Sequence, residues 1–357
     1  MRHETNENGM KILRSLIRKE ALHIVRDRRT MVITLVMPVV LLLLFGFAIS
    51  TEVNNFRTVA VVDRHNDHTR DIIERLQVND YFNFVELVSD SEVERMLREG
   101  KTEAALYLRT DGGLTSAHIV VDASNPTSAQ AAAAYLQSLT ENHAETIAVT
   151  YTLYNPQMKS AYNFVPGIMG MIFILICAIM TSVSIVSEKE NGTMDLLLVS
   201  PVKPTTIIIG KLVPYFALSC IILAIMLLMA YTVLGLPVSY TVITVVALSL
   251  LYVILSLSVG LLVSTLVSNQ VSALIVSAVL FMLPVIMLSG MIFPIDNMPA
   301  PLQWISCAIP ARWYISAMRK LMIQQLEVSY VIGEFAILTG MTAALLAIAI
   351  GKFRSNT

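Results

Sequence analysis

Residues 212–295 read LVPYFALSCIILAIMLLMAYTVLGLPVSYTVITVVALSLLYVILSLSVGLLVSTLVSNQVSALIVSAVLFMLPVIMLSGMIFPI, 84 residues without one Asp, Glu, Lys or Arg. A soluble core helix cannot be that long and stay that apolar. At roughly 20 residues per span, the stretch makes three spans joined by short turns. Its polar or turn-forming punctuation lies at Gly235-Leu236-Pro237 and Ser268-Asn269-Gln270, which places the spans near 212–234, 241–265 and 271–293. The whole chain of 357 residues has the same character, with 14% charged residues against about 25% in soluble proteins, and a mean hydropathy of +0.67. A soluble enzyme is excluded, as is a fibrous or disordered chain. The net charge of −1 implies no global attraction to nucleic acid.

Working outward, three more spans appear. Residues 31–49 are uninterrupted by charge and carry Pro38, which is expected to kink them. Residues 165–187 are also charge-free, and 331–351 hold only Glu334, near the first turn, where a carboxylate can reach the interface. Residues 31–49 read as an uncleaved anchor rather than a signal peptide. The preceding flank of about 30 residues and the long apolar run both exceed what such signals use. Basic residues set the orientation. Arg2, Lys11, Arg14, Arg18, Lys19, Arg26, Arg28 and Arg29 precede the first span and place the N-terminus in the cytoplasm. Six spans return Lys352 and Arg354 to the same side, and Lys189, Lys203 and Lys211 also fall inside.

The expected architecture is an α-helical polytopic membrane protein with six transmembrane helices and an inserted extracytoplasmic α/β domain. Residues 1–30 form a cytoplasmic amphipathic interfacial helix, read from Ile12, Leu13, Leu16, Ile17 and Ile24 at helical spacing among basic residues. The first span is assigned 31–50 and the external domain 51–164. Spans two to six occupy 165–351, with a cytoplasmic loop at 187–211 and external re-entrant or interfacial helices at 294–330. A cytoplasmic tail covers 352–357. Within the external domain, 58–62, 82–88, 104–108 and 118–121 read as strands, and 69–76, 91–98 and 127–151 as helices. Ser91 and Glu94 fit a capping box. His65, His68, His118 and His143 show no metal-ligand spacing, and Cys177, Cys220 and Cys307 read as packing residues. Trp304, Trp313 and Tyr314 suit an outer interface.

The chemistry of an enzyme is missing from the sequence. Gly210-Lys211 has no glycine five positions earlier and is followed by Leu, so no Walker pattern exists. There is no zinc-protease helix motif and no nucleophile elbow. Spans one to five bury no ionisable residue of the kind a proton-driven carrier needs. Energy must therefore enter through a cytoplasmic contact. The loop after span two, SEKENGTMDLLLVSPVKP over 187–204, puts a charged cluster at the membrane edge, then a Gly turn, then a short amphipathic helix. Thr193 or Asn191 can cap that helix, Asp195 suits its first turn, and Pro201 and Pro204 end it.

This segment resembles the signature of the ABC-2 type permeases, the membrane subunits of type V ABC exporters, in their long branch with a large external domain. The matching pattern is Glu188, a basic residue, Glu190, Gly192-Thr193, an acidic position, Leu196-Leu197 and Ser200-Pro201. Asp195 stands where Glu is usual, which preserves the charge. The resemblance implies an exporter permease without its own ATPase site, driven by a separate ATP-binding cassette subunit that holds ATP and Mg. Glu188, Glu190, Gly192, Thr193, Asp195 and Leu197 would then be coupling or ATPase-contact positions, with no catalytic, cofactor or metal residues in this chain. The other implied partners are a second permease chain, identical or paralogous, the lipid bilayer, and in some systems a periplasmic adaptor. The location implied is a bacterial inner membrane. The cargo is expected to be hydrophobic or amphipathic, drug-like or lipid-like. Two other readings compete, a membrane-anchored ligand sensor and a lipid-modifying enzyme. The first lacks a cytoplasmic output domain, and the second lacks convergent intramembrane polar groups.

Overall fold

The computed structural model describes residues 2–45, 56–63, 66–79, 82–99, 101–111, 114–121, 126–141, 160–194, 204–238, 240–293, 295 and 298–355. The chain forms two compact units, one of Met1–Ile49 with Ser160–Thr357 and one of Ser50–Lys159. The first opens with α1 (Arg2–Arg26) and α2 (Arg28–Leu43). Between them Asp27 accepts a hydrogen bond from the Thr30 backbone N–H at 3.2 Å and starts a new helix, so the N-terminal helix ends at 26 rather than 30. Helix α2 runs through Pro38 for 16 residues. The far end of the expected first span, 46–50, lies outside the described residues.

The second unit alternates strands and helices. Its elements are β1 (Phe56–Val62), α3 (Asp67–Val78), β2 (Phe82–Leu87), α4 (Asp90–Arg98), β3 (Ala104–Asp111), β4 (Leu114–Val121) and α5 (Pro126–Glu141). They build a four-stranded sheet in the order β2-β1-β3-β4, parallel except for the β3–β4 hairpin. Alternation along the strands sends Leu106 and Leu108 to one face, where Ile72, Leu76, Ala132 and Leu136 cover them. Val59 and Ala105 face the other side and meet Val93 and Met96 of α4. The cap of α4 differs from the expected one. Glu92, not Glu94, accepts from the Ser89 backbone N–H at 3.4 Å and from its hydroxyl at 2.9 Å. Ser89 has the extended backbone a cap requires, while Ser91 is already helical. The expected long helix at 127–151 is α5 as far as Glu141, and 142–151 lie outside the described residues.

The first unit resumes with α6 (Ser160–Glu190), α7 (Pro204–Thr232), α8 (Val242–Ser264), α9 (Gln270–Leu288), α10 (Ala300–Ser306), α11 (Pro310–Met322), a 3-10 turn (Val328–Val331) and α12 (Ile332–Ser355). Among the described residues five stretches are long and apolar enough to cross a membrane: Phe164–Glu190, Thr205–Thr232, Val242–Ser264, Gln270–Leu288 and Val328–Lys352. The turn after α7 uses Gly235 at φ +66, and Asn269 caps α9 by accepting from the Ser272 N–H at 2.7 Å.

Helices α6 and α8 cross where Gly260 touches the backbone of Ala178. Above that crossing Tyr252 and Tyr314 stack with centroids 4.2 Å apart. The Tyr252 hydroxyl donates to the Gly170 carbonyl at 3.0 Å, so the buried ring keeps a polar partner. Three expectations need correction here. Tyr314 is fully buried in that stack, not an interface anchor. Glu334 does not reach out to an interface; its carboxylate is buried against Lys320 at 2.6 Å and accepts from Ser316 at 3.1 Å, because α11 supplies both partners. Cys307 is exposed rather than packed, whereas Cys177 is buried beside the Ser219 hydroxyl at 3.2 Å.

Candidate functional site

The loop expected at 187–211 is shorter than its polarity implied. Helix α6 continues through Glu190 and α7 begins at Pro204, so Glu188 and Glu190 are helical and Lys211 sits two turns inside α7. Charged residues stay helical here because each has a fixed partner.

Lys211 is the centre of the arrangement. Its side chain is 5% exposed, and its Nζ lies 3.0 Å from Glu20 Oε1 of α1 and 3.0 Å from Glu188 Oε2 of α6. The approach to Glu20 is an aligned hydrogen bond, while the approach to Glu188 is an ion pair without that alignment. Glu188 Oε1 accepts from Lys19 Nζ at 2.7 Å, and the Ser184 hydroxyl lies 3.4 Å from Lys211 Nζ and 3.5 Å from Glu20 Oε2. Two cations thus meet two carboxylates, and the cluster is neutral. Desolvation of three nearly buried charges opposes the arrangement. What makes it tolerable is that each charge has an opposite partner within 3.0 Å. Partial burial works against the Lys19 ammonium, but the hydrogen bond to Glu188 and the charges of Glu188 and Glu20 outweigh it and hold its pKa above the usual value. Close packing explains how α1 comes near enough. A Cβ on Gly210 would stand 2.9 Å from Leu16 Cβ, so only glycine lets the two helices meet.

The next two residues of α6 point elsewhere. Lys189 Nζ donates to the Ser264 carbonyl at 2.6 Å, at the end of α8, where the negative pole of the helix favours a cation. Glu190 Oε2 accepts from the Gln270 backbone N–H and from its side-chain amide, both at 3.1 Å, at the positive start of α9. Gly192 then turns the chain with φ +70, and the Thr193 hydroxyl donates to the Glu188 carbonyl at 3.2 Å. Asn191, Gly192 and Thr193 are exposed.

Of the six site residues expected from the sequence, the structure brings Glu188, Glu190, Gly192 and Thr193 together at the end of α6. Asp195 and Leu197 lie outside the described residues. Glu20, Lys189 and Lys211 belong to the site and were not anticipated as site residues. For Glu20 a signal was present: Leu13, Ile17, Glu20 and Ile24 share one helical face, and an acid on an otherwise apolar face demands a cation.

Known proteins bear on this geometry. The ABC-2 family transporter protein profile matches residues 28–350. The chain is 26% identical over 332 residues to the probable multidrug ABC transporter permease YbhS of Escherichia coli, covering 87% of this chain and 88% of that one. It is 29% identical over 362 residues to the probable multidrug ABC transporter permease YbhR of Escherichia coli, covering 95% and 97%. The inner membrane transport permease YhhJ of Escherichia coli is 22% identical over 392 residues, covering 100% and 99%.

Proposed function

Because the chain belongs to the ABC-2 family of transporter proteins, we propose that it is the permease of an ATP-driven exporter whose coupling contact is the exposed turn at Asn191–Thr193. In such transporters the membrane subunit carries the path and a separate subunit hydrolyses ATP. The observation that carries the proposal is the pairing of an exposed Gly turn with a fully partnered charge cluster directly behind it. A contact surface for a moving ATPase needs a firm base, or the push is lost in local bending.

On this reading the chain has six spans, α2 with residues 46–50 being the first. The ends of α6 and α7 at the cluster face the cytoplasm, and residues 51–164 lie outside. The basic flank before α2 supports that orientation. ATP and Mg are bound by the partner ATPase, and a second permease chain completes the path. The first two relatives' names point to multidrug export. Together with the apolar spans they support a hydrophobic or amphipathic cargo leaving a bacterial inner membrane.

Reconstitution with the cognate ATP-binding cassette subunit tests this. Wild-type permease is expected to raise ATP hydrolysis over the ATPase alone and to drive export of a lipophilic fluorescent amine. Gly192→Val is expected to insert normally and to lose both, since a β-branched residue resists φ +70. A wild-type permease that leaves the ATPase rate unchanged and moves no dye would defeat the proposal.

A further inference from the structure

Three successive residues at the end of one helix point about 100° apart, so a charged triplet there can reach neighbours on three sides. Glu188, Lys189 and Glu190 do so. Glu188 meets Lys19 of α1 and Lys211 of α7, Lys189 meets the last turn of α8, and Glu190 meets the first turn of α9. We infer that this triplet is a rigid hub that ties the ends of α1, α7, α8 and α9 to α6, and that the hub stays closed throughout transport. Resting on the coupling role proposed above, this makes Glu20, Lys189 and Lys211 positioning residues that pass a push on the Asn191–Thr193 turn to four helices at once.

The case for a closed hub is electrostatic. Lys211 and Glu20 are 5% and 6% exposed, and parting them would strand two charges away from water. The Ser184 hydroxyl already fills the remaining polar position between them, and Gly210 leaves no gap between α1 and α7 for water to enter. The contacts of Lys189 and Glu190 each match a helix pole, so neither is improved by letting go. Relative motion must then arise elsewhere in the bundle or between chains, with these five helix ends travelling together.

The test uses the full-length permease reconstituted with its ATPase, reading permease-dependent ATP hydrolysis. Lys211→Met alone takes the ion-pair partner from Glu20 and is expected to lose both a monodisperse fold and the stimulated rate. Glu20→Met with Lys211→Met removes the charges in balance and keeps the Lys19–Glu188 pair. A closed hub needs only to be filled, so the double variant is expected to regain fold and stimulated rate together. A double variant that folds but does not stimulate the ATPase would overturn the closed hub, because the charges themselves would then have to rearrange. A second arm leaves the buried pair intact. Lys189→Met removes only the tie to the Ser264 carbonyl, and is expected to insert normally and to lower the stimulated rate. A Lys189→Met permease with the full wild-type stimulated rate would refute the inference. A wild-type permease without effect on the ATPase would instead sink the coupling role, so the two failures are distinguishable.

Discussion

Lys211→Met is expected to destabilise the protein by about 3–5 kcal/mol, the usual cost of removing one partner from a buried ion pair. Two carboxylates depend on this ammonium. Glu188 retains Lys19, but Glu20, at 6% exposure, keeps only the Ser184 hydroxyl at 3.5 Å and the more distant Lys19 charge. The result should appear as a lower unfolding temperature in detergent and a smaller monodisperse fraction on size exclusion. Lys19→Met is the matched control. Its side chain is 57% exposed, and exposed pairs contribute about 0–1 kcal/mol. If the two variants behave alike, Lys211 is not the centre of the cluster.

Gly260→Leu is expected to be comparably damaging, through packing rather than charge. A Cβ at 260 would lie 2.7 Å from the Ala178 carbonyl oxygen, 2.9 Å from its Cα and 2.8 Å from Thr181 Cβ. Two of those atoms are α6 backbone and cannot rotate aside, so the two helices must separate. Overpacking of a close contact typically costs about 1–3 kcal/mol, and a bulky side chain wedged against backbone reaches the top of that range or exceeds it. Gly167→Ala is the instructive comparison. Its Cβ would come within 2.3 Å of Met291 Cγ and 3.2 Å of Met291 Cβ, so that buried side chain must change rotamer, but no backbone atom stands in the way. Gly340→Ala meets nothing within 4 Å and should be neutral. Thermal unfolding of the three variants in detergent should rank Gly260→Leu far below the others, and equal ranking would contradict the helix crossing.

Much of this architecture is legible in the sequence because membranes impose simple rules. The charge-free run of 212–295 gives both ends of α8, the end of α7 and the start of α9 closely, since Gly235-Leu236-Pro237 and Asn269 punctuate it. Helix α7, however, begins earlier, at Pro204, and α9 stops at Leu288, short of the expected 293. The sheet strands are also legible from their apolar runs, although β4 extends from Leu114 because its hairpin partner β3 pairs along its whole length. The difference at 187–211 has a physical cause. Local polarity points to the end of a helix, whereas Glu188, Lys189, Glu190 and Lys211 remain helical because they neutralise one another or meet helix poles. Polarity marks a boundary only for a charge without a partner, and partners such as Glu20, 191 residues from Lys211, are invisible to a local reading. The same holds for Glu334, whose partner Lys320 lies on α11.

The central claim is that the turn beyond Glu190 is where the ATPase touches this chain. A photo-crosslinking amino acid in place of Asn191 tests it most directly, since that side chain is exposed and stands beside Gly192 at φ +70. In the assembled complex, irradiation is expected to join the permease to the ATP-binding cassette subunit, while the same probe at Val78, exposed on α3, should not reach it. Crosslinks from position 191 to lipid or to this chain alone, with the ATPase present and active, would contradict the account.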